Sequence, residues 1–154
     1  MSSHGKQNSQ KQEKIVSMFD DIAPTYDTAN RVMSMGVDKS WRRKACDLSF
    51  EFYAKDSIDK IVDVACGTGD MMDFWKKRSE VNGIAIGEIV GVDPSVGMVD
   101  VAREKYPKFN YHISKATEIP LEDESADILS ITYGIRNVME RTQALDEFNR
   151  VLKK

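Results

Sequence analysis

The β-branched run Lys60-Ile61-Val62 leads into Asp63-Val64-Ala65-Cys66-Gly67-Thr68-Gly69-Asp70, and a second apolar run ends downstream in Gly91-Val92-Asp93-Pro94. Glycines at a strand-to-helix turn let backbone N–H groups approach a ligand that any Cβ would exclude. An acid closing the next strand can accept both hydroxyls of a ribose. The pairing points to a nucleoside-binding crevice. A dinucleotide fingerprint needs G-x-G-x-x-G, but Gly69 is followed by Asp70, Met71 and Met72; a P-loop needs a lysine followed by Ser or Thr at a fixed distance, and none stands there. NAD and ATP are disfavoured by what the loop lacks.

The elements that hold these residues follow from periodicity. Ile15, Met18, Phe19 and Ile22 recur at helical spacing and stop before Pro24. Tyr26 to Met35 ends at Gly36. Trp41, Ala45, Leu48 and Phe52 form one stripe after Asp38, a candidate N-cap. Beyond these helices the pattern alternates: strand Lys60–Ala65, helix Asp70–Lys77, loop Ser79–Gly87, strand Glu88–Val92, helix Ser95–Tyr106, strands Asn110–Ser114 and Asp127–Thr132, helix Thr142–Leu152. Such alternation predicts an α/β fold with a parallel sheet. The expected organisation is an unstructured polar tail over 1–12, a helical extension over 13–56, and the cofactor-binding domain over 57–154.

Composition narrows the partners. The chain has 154 residues, 41% of them hydrophobic and 31% charged, with net charge -3, which suits an ordinary soluble domain. Basic residues are scattered among acids, and Arg42-Arg43-Lys44 beside Trp41 reads as a solvated helix face, so no nucleic acid is expected. Two cysteines, Cys46 and Cys66, with no secretory signal fit a reducing cytoplasm and imply neither a disulfide framework nor a metal. No apolar run is long enough to span a bilayer. His112 in a strand is read as structural, and His4 lies in the polar start.

Acid-x-small-x-Gly-x-Gly resembles motif I of the Rossmann-like methyltransferases that use S-adenosyl-L-methionine. The resemblance extends to Phe19-Asp20-Asp21-Ile22-Ala23-Pro24-Thr25-Tyr26-Asp27 with Asn30, to Ser34-Met35-Gly36, Trp41-Arg42 and Gly97-Met98, and to Tyr133-Gly134-Ile135-Arg136-Asn137-Val138. Together these resemble the ubiquinone/menaquinone biosynthesis C-methyltransferases. The resemblance implies that Asp63, Ala65, Gly67, Thr68, Gly69, Asp93, Met98, Lys115, Ala116 and Thr132 bind the cofactor. Lys115 departs from the expected short acceptor at its position, since lysine has no acceptor for the adenine amino group. Arg136 and Asn137 would bind the quinol oxygens, and Tyr26 and Asp27 would lid the site and contribute an acid or base.

The implied substrate is a polyprenylated quinol, naphthoquinol or benzoquinol. It brings peripheral contact with the inner face of the membrane, for which the Ile15, Met18, Phe19, Ile22 stripe is one candidate, and homo-oligomers are compatible with it. Members of that family continue past Lys154 through a Pro-Gly-Gly turn into further strands, so the sheet is expected to be incomplete on the C-terminal side of its fourth strand. Another small-molecule methyltransferase, or a subunit that binds S-adenosyl-L-methionine without turnover, is the alternative.

Overall fold

In the computed structural model, residues 3–154 are described, with the side chains of Ser3 and His4 excepted; the Met1-Ser2 end of the expected tail and the His4 side chain lie outside the described residues. Strands β1 (Ser57–Val64), β2 (Ala85–Asp93), β3 (Asn110–Ile113) and β4 (Ile128–Ile131) form one parallel sheet in the order β3-β2-β1-β4. Helices cover both faces, which is why the central strands read as apolar runs without alternation. Ile61, Val62 and Val64 of β1 and Val90 and Val92 of β2 are buried.

One face packs under α3 (Val37–Tyr53) and α4 (Asp70–Asn82), with Cys46, Phe50, Met72 and Trp75 against Ile58, Ile61 and Ile89. The other packs under α6 (Arg141–Val151), whose Ala144, Phe148 and Val151 meet Val62, Val64, Val90 and Val92. Trp75 anchors the first core: its ring stands edge-on to Phe50 at 5.4 Å, and its Nε1 donates to Ser130 Oγ at 3.1 Å. Truncating such a buried ring to alanine costs about 3–5 kcal/mol. Asp127 ties the start of β4 to β1, accepting from the N–H groups of Asp59 (2.8 Å) and Lys60 (2.9 Å). Past α6, Leu152 bridges in parallel to Ala126, the only pairing on the outer side of β4 among the described residues.

Ahead of the sheet lie α1 (Ser3–Ile22), a 3₁₀ turn at Ala23–Thr25 and α2 (Tyr26–Ser34); α5 (Val96–Lys105) follows β2. Where the sequence reading puts an unstructured tail, the chain is helical from Ser3. Gln, Lys and Glu lose little side-chain freedom in a helix, and Gln12 Oε1 accepts the Met139 N–H at 3.1 Å. Asp20 docks α1 on α5: its Oδ1 accepts from Ser95 Oγ at 2.5 Å and from the Gly97 N–H at 2.9 Å, while Ser95 Oγ caps the Met98 N–H.

Three other expectations are corrected. The Trp41, Ala45, Leu48, Phe52 stripe of α3 faces outward, with Phe52 94% exposed. The face that packs is one residue out of phase and carries Arg42, Cys46, Phe50 and Tyr53; Asp38 lies in the first turn rather than at the N-cap, which is Gly36. The expected loop at Ser79–Gly87 is mostly ordered as the end of α4 and the start of β2. Gly83, at φ +68°, ends the helix with its N–H on Glu80 O, and Ile84 N donates to Ser79 O at 2.8 Å.

Candidate active site

The site sits at the carboxyl ends of the strands, where β2 and β4 depart to opposite sides of β1, the position at which open parallel sheets leave a crevice. The loop after β1 turns through left-handed conformations at Ala65 (φ +52°), Gly67 (φ +54°) and Gly69 (φ +85°). A Cβ on Gly67 would meet no protein atom within 4 Å, so the glycine leaves cleft space open for another molecule. Asp93 closes β2 and holds this loop: its Oδ2 accepts from the Gly67 N–H and its Oδ1 from the Ser95 N–H, both at 2.9 Å. Burial raises the Asp93 pKa, against the pull of those two N–H groups.

Asp63 is 1% exposed. Burial pushes its pKa up to about 7, although Ser130 Oγ donates to its Oδ1 at 2.6 Å.

A cleft of about 690 Å³ runs from this loop to the turn after β4. Ala65, Gly67, Asp93, Met98, Lys115, Ala116 and Thr132 line it together with Arg136 and Asn137. Met98 and Ala116 are buried beside the cleft, while Lys115 is exposed at its wall. Ile15, Val16 and Phe19 of α1 form an apolar roof, and Tyr26 joins it with its ring 6.1 Å from that of Phe19. Arg141 fixes the 135–137 turn by donating from Nε to Ile135 O (3.2 Å) and from a terminal nitrogen to Arg136 O (3.0 Å). Among the described residues no carboxylate pairs with the Arg136 guanidinium. Gly134 admits this turn, because a Cβ there would fall on the Ala65 methyl.

Two predicted residues are engaged elsewhere. Asp27 lies outside the main cleft: it accepts from Thr68 Oγ1 at 2.5 Å and pairs with Lys105 Nζ at 2.5 Å, and Lys105 also pairs with Asp70 at 2.6 Å. These contacts fasten α2 to the glycine loop, and the Thr68 hydroxyl is spent on Asp27. Asp70 and Gly69 belong to the start of α4 and its cap. Sequence reasoning missed Lys105, Asp20 and Arg42; Arg42 sits on the buried face of α3 rather than among solvated bases, its side chain 13% exposed.

The parallel sheet, the glycine turn and the acid closing β2 define the Rossmann-like methyltransferase fold. A Methanococcus maripaludis protein described as an S-adenosyl-L-methionine-dependent methyltransferase shares that fold, with a TM-score of 0.67 over 92% of this chain and 59% of that one at 16% identity. The chain belongs to the ubiE/COQ5 methyltransferase family, whose model matches residues 6–154. It is 53% identical over 145 residues to the ubiquinone/menaquinone biosynthesis C-methyltransferase UbiE of Campylobacter jejuni, covering 94% of this chain and 61% of that protein. It is 37% identical over 139 residues to the demethylmenaquinone methyltransferase of Chlorobaculum parvum, covering 90% and 55%. The chain thus spans about three-fifths of the length of these relatives.

Proposed function

We propose that this chain binds S-adenosyl-L-methionine at the glycine loop and serves the C-methylation of a polyprenylated quinol in menaquinone or ubiquinone biosynthesis. The observation that carries the reading is a single cleft lined both by Asp93, the acid that closes β2, and by Arg136, a cation with no carboxylate partner among the described residues. When bound, the cofactor supplies an electrophilic methyl on its sulfonium.

The chain's residues do the rest by placement. Asp93 keeps lone pairs for ribose hydroxyls after accepting from Gly67 and Ser95. Met98 and the backbone at Lys115 and Ala116 flank the adenine. Thr132 and the loop at Asp63, Ala65, Gly67 and Thr68 face the amino-acid end. Arg136 and Asn137 hold the quinol oxygens, and the Arg136 charge favours loss of the quinol hydroxyl proton, stabilising the phenolate whose ring carbon then takes the methyl and loses its own proton. The roof of Ile15, Val16 and Phe19 suits the first isoprene units of the tail. Helices over 13–56 act as a lid, Tyr26 closing on the cofactor and Asp27 holding the lid to the loop. The test is methyl transfer from labelled cofactor to short-chain naphthoquinols and benzoquinols. Transfer that falls at least 10-fold in Arg136→Ala supports the reading, and transfer to a non-quinol acceptor that ignores Arg136 refutes it.

No helix of the described residues is long and apolar enough to cross a membrane. Peripheral contact is instead proposed at the α2–α3 corner, where Val32, Met33, Met35 and Trp41 are exposed beside Arg31, Lys39 and Arg43. Of the α1 stripe, Ile15 and Phe19 turn to the cleft. Co-sedimentation with anionic vesicles that is lost in Met33→Asp/Met35→Asp supports that corner; unchanged sedimentation refutes it.

A further inference from the structure

Beside the methionine end of the cleft lies a second, small polar pocket of about 40 Å³, sharing Ala65, Gly67 and Thr132 with the main one. Its size admits a few water-sized groups, enough for the end of an amino acid and too little for a ring. Arg42, from α3, and Asp63, from β1, both line it. Arg42 Nε is the single buried side-chain nitrogen or oxygen without a hydrogen-bond partner among the described residues. The nearest carboxylate, Asp38 Oδ2, stands 3.8 Å away, beyond hydrogen-bond reach, and Asp38 Oδ1 accepts from Ser34 Oγ at 2.8 Å. The guanidinium lies 5.6 Å from the Tyr133 ring centroid, so the aromatic face holds it without satisfying its N–H groups.

The charges around it are otherwise settled. Lys105 neutralises Asp27 and Asp70, and Ser130 donates to Asp63. A buried, forked cation with a free donor, lining the same pocket as a buried acid, is complementary to an α-amino acid zwitterion.

We infer that Arg42 anchors the carboxylate of the cofactor's methionine moiety, with Asp63 facing its ammonium group. This rests on the binding of S-adenosyl-L-methionine proposed above, and it gives α3 a part in cofactor selection. Arg42 is then a binding residue, and its loss selects against ligands that carry a carboxylate.

The test is a calorimetric comparison of S-adenosyl-L-methionine, its decarboxylated analogue and 5′-methylthioadenosine on the wild-type chain, Arg42→Gln and Arg42→Lys, each variant's fold checked by circular dichroism. The account expects Arg42→Gln to bind S-adenosyl-L-methionine about 10–100-fold more weakly, the scale of one charge-assisted bond. Affinities for the two ligands without a carboxylate should change less than about 3-fold, and Arg42→Lys should recover part of the loss. Equal losses for all three ligands would overturn the inference in favour of a purely structural arginine, as would no loss at all. If the folded wild-type chain binds none of the three, the cofactor reading itself fails, and the anchor with it.

Discussion

Replacing Gly134 with alanine puts a methyl on top of the Ala65 methyl, with Ile131 Cγ1 and Cδ1 a further 3.4 and 3.6 Å away. Carbon pairs settle at about 3.5–4.0 Å, so the turn after β4 and the loop after β1 must part, and overpacking of this kind costs about 1–3 kcal/mol. Ala65 is itself held at φ +52°, where an alanine carries roughly 1–2 kcal/mol of backbone strain. Ala65→Gly relieves that strain but frees the unfolded chain by about 0.4–1 kcal/mol, so alone it should be neutral to stabilising by about 1 kcal/mol. In the double variant the opposing methyl is gone. The prediction is a coupling energy of about 1–3 kcal/mol. Urea unfolding followed by the fluorescence of buried Trp75 measures it, with Gly134→Ala lowering the midpoint by on the order of 1 M in the wild-type background and little in Ala65→Gly. An equal cost in both backgrounds would refute the claim that these two loops meet at a methyl's distance.

Other consequences follow from the polar ties. Asp127 is pushed up by burial, but the Lys60 N–H, Lys153 and Tyr53 outweigh that and bring its pKa down to about 2. Its contribution is present above the unfolded pKa of about 4 and is lost as pH falls toward 2; Asp127→Asn should cost about 1–2 kcal/mol at pH 7 and flatten the acid limb of an unfolding series. Asp63 works in the opposite sense. With its folded pKa raised to about 7, the folded ligand-free chain keeps a proton that the unfolded chain has lost, so stability should rise by about 2 kcal/mol from pH 8 to 5.5. Asp63→Asn should abolish that slope; a slope that persists in the variant contradicts the assignment. Lys105→Met removes the cation between Asp27 and Asp70 and should cost about 1–2 kcal/mol, with amide exchange accelerating over residues 26–34 more than over β1 and β2.

The sheet was legible because its two central strands are buried on both faces and so read as apolar runs, and because Gly67, Gly69 and Asp93 have spacings that few other sites need. The phase of α3 was not legible. Trp41, Leu48 and Phe52 make the stronger apolar stripe, yet the helix packs through Cys46 and Phe50, and Arg42 shares that face because a buried polar pocket, not the oily core, lies under it. Periodicity scores hydrophobicity and cannot see such a pocket. The extension of α4 past Ser79 was hidden by Asn82 and Gly83, which read as a loop but cap the helix. Asp20, Lys105 and Asp127 act on partners 75, 78 and 67 residues away, and no local pattern announces such pairs. Gly134 stood inside the motif that carried the family resemblance, but the reason for it, the Ala65 methyl, lies in another loop.

The most direct measurement is equilibrium titration of the folded chain with S-adenosyl-L-methionine, beside Asp93→Asn and with NAD as a control ligand. Two ribose hydroxyls on one carboxylate predict saturable one-site binding that weakens at least 10-fold in the variant, with no NAD binding. A folded chain that ignores S-adenosyl-L-methionine, or binds it equally well without the Asp93 carboxylate, would contradict the account.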